Sequence, residues 1–278
     1  MIHNFPGGFT VLMAVYKGDN HQLFDKSLQS IYLNSLAPNN IVLVVDGEIP
    51  EALNLVILKY VHHENLFVHR INKNSGLANA LNEGLRFVNT EWVVRADADD
   101  ISLTYRFEKM AKYAKTHNYL DVIGANILEI EPSGEHICKR IVPISHHSIE
   151  KCIKFRSPLN HMTVCYKKNI VDSVGGYPDL YLKEDYGLWV LLINKGYIFG
   201  NLNEILVHAT TGNDMFKRRG GIRYIISEIN LQYFLYINNI NGALLAVLIL
   251  FFRSSIFALP HFIRRYFYIK FLRKNLLD

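Results

Sequence analysis

Three aspartates follow one another closely at the end of a stretch that has the composition of a buried strand. The stretch spans residues 92–96 (WVVRA), and Asp97, Asp99 and Asp100 come directly after it. Side chains two residues apart in extended chain project to the same side, which places the carboxylates of Asp97 and Asp99 close together. Such carboxylates repel each other unless one takes up a proton or a cation lies between them.

The oxygen atoms of these aspartates suit hard divalent cations. Mg²⁺ and Mn²⁺ prefer carboxylate ligands and in turn bind phosphate oxygens. The triplet therefore predicts a metal site that holds a phosphorylated substrate. The alternative is a solvated acidic turn in which Asp100 or Ser102 caps the next helix.

The elements that must position the triplet form an alternating series. Apolar, β-rich runs fall at residues 9–15, 41–45, 66–71 and 91–96, and apolar residues at helical spacing separate them. This alternation predicts an α/β fold with a doubly wound, mainly parallel sheet. Ligands of such sheets bind outside the carboxyl ends of the strands, where Tyr16, Asp46 and the aspartate triplet stand in this sequence.

Two common phosphate-binding loops are missing from these strand ends. The turn after the first strand, residues 16–20 (YKGDN), lacks the G-x-G-x-x-G pattern of dinucleotide-binding folds, and no G-x-x-x-x-G-K-[ST] motif occurs. A metal on the aspartates is therefore the natural candidate for holding phosphates.

Composition narrows the class of protein. The chain has 278 residues, of which 50% are hydrophobic and 12% aromatic, enough for a sizeable core. Its three cysteines are odd in number and lack metal-ligand spacing, which favours a reducing compartment. Residues 1–8 lack the basic region of a signal peptide. No basic stripe with interleaved aromatics occurs in the predicted sheet region, so we expect no nucleic-acid partner.

The C-terminal part differs from the rest in composition. From residue 222 onward, Tyr, Phe, Ile and Leu are mixed with Lys and Arg. The segments 242–252 and 254–263 are shorter than the ~20 residues of a spanning helix. They suit helices that lie in a membrane interface and attract anionic lipid; the alternative is a helix pair packed on the catalytic domain. We therefore divide the chain into residues 1–221 and 222–278.

In chain order, the motifs resemble those of family 2 glycosyltransferases, especially the branch that builds bacterial O-antigens, capsules and exopolysaccharides. The matching segments are Met13-Ala14-Val15-Tyr16, Val45-Asp46-Gly47, Asn74-x-Gly76-Leu77-Ala78, Asp97-Ala98-Asp99-Asp100, Gly175-Gly176-Tyr177, and Glu184-Asp185 followed by Gly187-Leu188-Trp189. The resemblance covers residues 9–220 and implies a GT-A fold, with a nucleotide-sugar half at about 1–105 and an acceptor half at about 106–221.

The resemblance also implies an activity. Members of this branch transfer a hexose from a UDP-sugar to a saccharide on a polyprenyl diphosphate, with Mn²⁺ or Mg²⁺ and with inversion to a β-linkage. The implied location is the inner face of the bacterial cytoplasmic membrane, with residues 222–278 in peripheral contact. Galactose or glucose is the favoured donor sugar.

The resemblance implies roles for single residues on the donor side. Ala14 and Tyr16 are similar to the wall of the base pocket, and Asp46 to the aspartate that hydrogen-bonds uracil or its ribose. Asn74 and Gly76 occupy the position of the loop near the nucleotide. Asp97 matches the residue that contacts ribose and the hydration shell of the metal, and Asp99 matches the direct metal ligand. Many members carry a second aspartate before the glycine that corresponds to Gly47, and this chain does not.

On the acceptor side, Asp185 matches the family's general base, with its neighbour Glu184 as the alternative. His161 stands where the family lines the acceptor site, and a structural histidine is the other interpretation. Arg218 and Arg219 lie in a basic, glycine-ended loop, and their guanidinium groups suit a diphosphate. His208 ends a predicted strand and is a candidate additional metal ligand.

Two other functions fit part of the sequence pattern. A sugar-phosphate nucleotidyltransferase also combines a doubly wound sheet with carboxylate-bound metal, but it needs a glycine-rich basic loop after the first strand, which residues 16–20 do not supply. A catalytically inactive glycan-binding scaffold would have lost the acidic motifs, and here they are intact.

Overall fold

The apolar runs form one continuous sheet in the computed structural model, which describes residues 4–211, 220–259 and 263. The strands in those residues are β1 (Phe9–Tyr16), β2 (Asn40–Asp46), β3 (Leu66–Ile71), β4 (Trp92–Arg95), β5 (Ile101–Ser102), β6 (Val122–Ile130), β7 (His136–Arg140), β8 (Cys165–Lys167) and β9 (Phe199–Thr210). Their order is β3-β2-β1-β4-β8-β6-β9-β5, with β7 paired to β6.

The first four strands have the predicted parallel arrangement. β1 pairs in parallel with β2 and β4, and β2 pairs in parallel with β3. In this register Tyr16 lies beside Asp46, and Leu12 lies beside Arg95. The carboxyl ends of β1 and β2 therefore meet at one edge, next to the loop that follows β4.

The other half of the sheet mixes strand directions. β8 is antiparallel to both β4 and β6, β6 is parallel to β9, and β5 is antiparallel to β9. The sequence analysis did not predict β7, which pairs with β6 across a tight turn, and only antiparallel strands can be joined in that way.

Helices cover both faces of the sheet. They are α1 (His21–Tyr32), α2 (Glu51–Tyr60), α3 (Leu77–Leu85), α4 (Arg106–Thr116), α5 (His146–Cys152), α6 (Lys168–Asp172), α7 (Glu184–Asn194), α8 (Ile222–Ile237) and α9 (Ala243–Ala258). One core lies between the sheet and α1, α2 and α4, and a second between the sheet and α3, α5, α6, α7 and α8. Because successive strand residues point to opposite faces, Met13 joins the first core and Leu12 the second.

The C-terminal helices pack on the domain and also expose apolar surface. α8 places Leu231 and Leu235 in the second core. Arg253 interrupts the apolar segments 242–252 and 254–263 in the sequence, but it does not end the helix: α9 runs through Arg253 to Ala258. The described helices include none long and apolar enough to cross a membrane.

Candidate active site

The three aspartates that follow β4 converge. Ligand oxygens of Asp97, Asp99 and Asp100 lie within 4.8 Å of one another. One oxygen of Asp100 accepts a hydrogen bond from the Thr210 backbone N–H at 2.8 Å, and the other is buried with no hydrogen-bond partner among the described residues. Burial, followed by the charges of Asp99 and Asp97, holds the pKa of Asp100 well above its usual value. This is the behaviour expected of crowded carboxylates.

The helix-capping alternative is wrong for this loop. α4 begins at Arg106, and its N-cap residue Tyr105 makes no side-chain capping bond. Asp100 is engaged with β9 instead. An oxygen-only donor set with an unpaired buried oxygen fits a hard divalent cation such as Mg²⁺ or Mn²⁺. The residues that would hold it are Asp97, Asp99 and Asp100.

Two buried arginines hold this acidic loop. Arg95 is 2% exposed, and its Nη2 lies 2.5 Å from Asp97 Oδ1. Arg106 donates hydrogen bonds to the Arg95 carbonyl at 2.6 Å and to the Met162 carbonyl at 2.8 Å. Burial lowers the pKa of Arg106 to about 10, so it is still charged at neutral pH. The sequence analysis missed both residues, although an arginine at the end of an apolar strand was a usable signal.

A polar stripe on α1 supports the same loop from the other side. Ser27 Oγ donates to the Asp97 carbonyl at 2.8 Å, and Ser30 Oγ accepts from the Ser102 N–H at 3.0 Å. Asn34 Oδ1 accepts from a backbone N–H of α4 at 3.2 Å. Ser27 and Ser30 are three residues apart on one face of α1, and Asn34 lies just beyond the C-terminal end of that helix. The sequence analysis did not identify this stripe, although its helical spacing can be seen in the sequence.

At the end of β2, Asp46 organises the loop that opens α3. The residue is 4% exposed, and its carboxylate accepts hydrogen bonds from Asn74 Nδ2 at 2.9 Å, Ser75 N at 2.7 Å and Gly76 N at 3.0 Å. Gly47 has a φ of +83°, and a Cβ there would lie 2.6 Å from the Asn74 nitrogen. The structure thus brings Asp46, Asn74 and Gly76 together. The predicted contact between Asp46 and uracil or ribose stays a prediction.

Ala14 and Tyr16 lie at the neighbouring strand end. Ala14 is half-buried, and Tyr16 is 39% exposed beside Asp46 in the β1–β2 register. The Tyr16 N–H donates to Asp19 Oδ2 at 2.8 Å, and the Tyr16 ring covers Gly18. The two residues therefore border the strand-end region that also holds the loop before α3.

The two carboxylates predicted for catalysis open α7. Glu184 and Asp185 form its first turn after the N-cap residue Lys183. Burial, followed by the charge of Asp185, raises the pKa of Glu184 to about 7; Asp97 also raises it, and Arg95 lowers it. The acidic loop and the start of α7 are thus close enough to interact electrostatically, although they are far apart in the sequence.

His161 lies in the same neighbourhood. Its Nε2 is 3.0 Å from the Tyr177 hydroxyl, which is 3.2 Å from the Tyr166 hydroxyl. Burial and then Arg95 lower the pKa of His161 to about 4, against smaller opposite effects of Asp185 and Asp97. The imidazole is therefore neutral at physiological pH.

Tyr177 is itself held by α3. Asn82 Nδ2 donates to the Tyr177 carbonyl at 2.9 Å, and the Tyr177 N–H donates to Asn82 Oδ1 at 2.7 Å. The helix that begins at the Asp46 loop therefore also supports the partner of His161. The sequence analysis included Tyr177 in a family motif but did not connect it with His161.

One predicted residue, His208, is not part of this site, and two others are not described. Arg218 and Arg219 lie outside the described residues. His208 is not part of the acidic group; it pairs in register with Ile101, and its ring faces that of His136 at 5.8 Å.

Comparison with known proteins places this geometry among sugar-transferring enzymes. Residues 10–163 match the family model described as Glycosyl transferase family 2. The chain is 37% identical over 270 residues to a UDP-Gal:alpha-D-GlcNAc-diphosphoundecaprenol beta-1,3-galactosyltransferase of Escherichia coli, covering 96% of this chain and 98% of that protein. It is 34% identical over 223 residues to the amylovoran biosynthesis glycosyltransferase AmsE of Erwinia amylovora, covering 80% and 84% of the two chains.

Solved structures share the fold. S. aureus TarS 1–349 in complex with UDP-GlcNAc has a TM-score of 0.66 at 18% identity, over 95% of this chain and 76% of that one. The mannosyltransferase PcManGT from Pyrobaculum calidifontis, in complex with GDP-Man and Mn2+, has a TM-score of 0.61 at 15% identity, over 89% and 69%. These likenesses confirm the predicted GT-A fold.

Proposed function

The chain belongs to glycosyltransferase family 2, and on that premise we propose that it transfers a hexose from a UDP-sugar to a saccharide on a polyprenyl diphosphate. The transfer inverts the anomeric centre and forms a β-linkage in a bacterial surface polysaccharide. Galactose is the favoured hexose, because the relative that is 37% identical is named for that donor; glucose is the alternative.

The observation that carries this proposal is the convergence of two acidic groups. Arg106, which holds the loop after β4, also donates to the Met162 carbonyl, and the ring of the neighbouring His161 lies 6.2 Å from that of Trp189 on α7. A transferase of this kind needs one acidic group for the donor diphosphate and another for the attacking hydroxyl. The fold supplies both from segments distant in sequence.

On the donor side, the residues at each strand end bind a different part of the UDP-sugar. Asp97, Asp99 and Asp100 would hold Mg²⁺ or Mn²⁺, a Lewis acid that offsets the charge of the leaving diphosphate. Ala14 and Tyr16 border the nucleoside, and Asp46 holds the loop that contains Asn74 and Gly76 against it. Arg218 and Arg219 are proposed as diphosphate ligands from their guanidinium chemistry alone.

On the acceptor side, Asp185 is the general base. This assignment follows the family pattern, in which Asp185 matches the base; Glu184, whose pKa is raised to about 7 by burial, is the alternative, because a general base works best with a pKa near the working pH. The acceptor oxygen attacks the anomeric carbon as the bond to UDP breaks, and its proton passes to Asp185. Neutral His161, held by Tyr177, offers a hydrogen bond to the acceptor sugar.

The C-terminal helices suit a lipid-linked acceptor. α9 exposes Leu244, Val247, Leu248, Phe251 and Phe252 by 58–76% of their surface. Apolar surface of this kind binds at a membrane interface. We place the protein on the cytoplasmic face of the membrane, in peripheral contact through residues 222–278.

The test is transfer from UDP-Gal, UDP-Glc, UDP-GlcNAc and UDP-GalNAc to a synthetic GlcNAc-diphospholipid, with the linkage determined by NMR. We expect one UDP-hexose to be used and the new linkage to be β. An α-linkage, or release of UDP without a glycolipid product from every donor, would contradict the proposal.

A further inference from the structure

A fully buried carboxylate lies on α8, outside the site described above. Glu228 has 0% side-chain exposure, and its two oxygens accept hydrogen bonds from Arg253 Nη1 at 2.9 and 3.1 Å. Lys183 Nζ lies 3.5 Å from Glu228 Oε2, and Gln232 Nε2 donates to Glu228 Oε1 at 2.8 Å. We call Lys183, Glu228 and Arg253 the Glu228 ion cluster. Because a buried charge is tolerated only when it is paired, its members depend on one another.

Lys183 stands immediately before the two carboxylates assigned to catalysis. Its carbonyl accepts the first helical hydrogen bond of α7, from Gly187 N–H at 2.8 Å, and its own N–H donates to the Leu180 carbonyl at 2.8 Å. Its side chain is 11% exposed, with the ammonium 4.5 Å from the centre of the Tyr224 ring. The conformation of Lys183 therefore sets the direction in which the first turn of α7 projects.

The backbone just before Lys183 is strained. Leu182 has a φ of +63°, and among the described residues only Asn239 is another non-glycine residue with a positive φ. A leucine held in this region persists only when its surroundings impose the conformation. Leu182 is 43% exposed, so its own side chain supplies little of that restraint. The structure shows two restraints around it: the backbone hydrogen bond from Lys183 to Leu180, and the ion pair of the Lys183 side chain with Glu228.

The cluster also connects the catalytic segment to the C-terminal helices. Arg253 belongs to α9, and besides Glu228 it donates to the Phe155 carbonyl. Lys183 immediately precedes α7, and Glu228 on α8 forms ion pairs with both Lys183 and Arg253. The helix whose apolar side chains are exposed is thereby joined to the base through a single buried carboxylate.

We propose that Glu228 is a positioning residue for the transfer reaction. It pairs with Lys183 and Arg253, and through Lys183 it holds the first turn of α7 so that Asp185 faces the acceptor hydroxyl. This inference rests on the proposed function of Asp185.

Hydrogen exchange tests the structural part without any substrate. In Glu228→Gln we expect the amides of residues 183–187 to exchange about tenfold faster than in the wild type, because the turn loses its restraint. Lys183→Met removes the partner next to α7 while Glu228 stays paired with Arg253, and it should speed exchange in the same segment. Asp121→Asn is the control, since it breaks the partly buried ion pair with Lys167, away from α7.

Kinetics test the catalytic part. We expect Glu228→Gln to lower kcat about tenfold or more, since a displaced catalytic group loses rate steeply. The KM for the UDP-sugar should change by less than about twofold, because donor contacts are untouched. The double variant Glu228→Gln/Lys183→Met should have a kcat no lower than that of the slower single variant. The reason is that both substitutions remove the same interaction, the one between Glu228 and Lys183.

Three outcomes would overturn the inference. The first is unchanged hydrogen exchange at residues 183–187 in both single variants. The second is faster exchange there with a kcat equal to that of the wild type. The third is a double variant in which the kcat effects of the two substitutions multiply. A wild type that transfers no sugar would contradict the proposed function, and the exchange result would still decide whether the cluster restrains α7.

Discussion

At the level of single residues, the proposed transfer depends on two adjacent carboxylates at the start of α7. Glu184 and Asp185 share one helical turn, where free backbone N–H groups favour negative charge. Burial and the charge of Asp185 nevertheless raise the pKa of Glu184 to about 7. A pKa near the working pH suits a general base, so Glu184 is a chemically reasonable alternative. The family pattern is what favours Asp185 as the base.

Asp185→Asn is expected to abolish turnover while preserving UDP binding. Loss of a general base typically costs 10²–10⁴-fold in rate, and the amide has nearly the shape of the acid. Steady-state transfer and calorimetric titration with UDP measure the two effects. The control is Asp172→Asn, which breaks an exposed ion pair with Lys168. A near-wild-type rate for Asp185→Asn would transfer the base assignment to Glu184.

Glu184→Gln is expected to stabilise the protein more strongly as the pH rises. Between pH 4.5 and about 7 the folded state binds more protons at Glu184 than the unfolded state, so this residue's contribution to stability falls as pH rises. Glutamine does not ionise, so Glu184→Gln avoids this loss of stability. The Tm of the variant should therefore exceed that of the wild type by more at about pH 8 than at about pH 5. Thermal melts of both proteins measure it, with Glu64→Gln at an exposed turn as the control. A gain that does not change with pH would contradict the raised pKa.

At the level of elements, the donor side depends on how closely the loop before α3 approaches β2. Asp46 binds that loop through its carboxylate, and Gly47 leaves room for the Asn74 backbone. The same helix reaches Tyr177 through Asn82. The start of α3 is therefore fixed by the end of β2. A later residue of the same helix holds Tyr177, the hydrogen-bond partner of His161.

Gly47→Ala is expected to weaken both stability and UDP binding. The added Cβ would lie 2.6 Å from Asn74 N, in addition to the cost of about 1–2 kcal/mol for an L-residue at positive φ. Gly196→Ala is the matched control, because its φ is +85° and no atom lies within 4 Å of the added Cβ. Melting and UDP titration of both variants should show a loss of UDP affinity only for Gly47→Ala. Equal UDP affinities would mean that the loop does not contact the nucleotide.

The strand ends and their polar residues could be predicted from the sequence because local patterns determine them. β-rich runs and helical spacing depend on neighbours in the chain, so the alternation and the grouping of Asp46 with Asp97 followed from topology alone. The partners of these residues could not be predicted in the same way. These contacts depend on side-chain geometry in the packed fold. They are the ion pair of Arg95 with Asp97, the hydrogen bond of Ser27 to the Asp97 carbonyl, and the ion pair of Glu228 with Lys183.

At the level of the whole molecule, the C-terminal helices combine the two interpretations that the sequence left open. α8 places Leu231 and Leu235 in the second core and also exposes apolar side chains such as Ile226 and Tyr233, whereas the apolar side chains described on α9 are mostly exposed or half-buried. Composition could not separate these cases, because both helices are rich in apolar residues. We interpret α8 as the support and α9 as the surface toward the lipid that carries the acceptor.

Leu248→Asp is expected to reduce binding to vesicles of phosphatidylglycerol and phosphatidylethanolamine. A charge on the apolar surface of α9 opposes insertion into the interface. Leu55→Asp on α2 is the matched control, because Leu55 and Leu248 are both 58% exposed. Vesicle flotation should show loss of binding for Leu248→Asp alone. Equal binding of both variants and the wild type would mean that α9 does not contact lipid.

The central claim is that the aspartates after β4 hold a cation that binds the donor diphosphate. Calorimetric titration with UDP, with and without Mn²⁺, on the wild type and Asp99→Ala tests it most directly. We predict that UDP binding requires Mn²⁺ and is lost in Asp99→Ala, because one ligand of the cation is gone. UDP binding of equal strength without the metal, or retained by Asp99→Ala, would contradict the account.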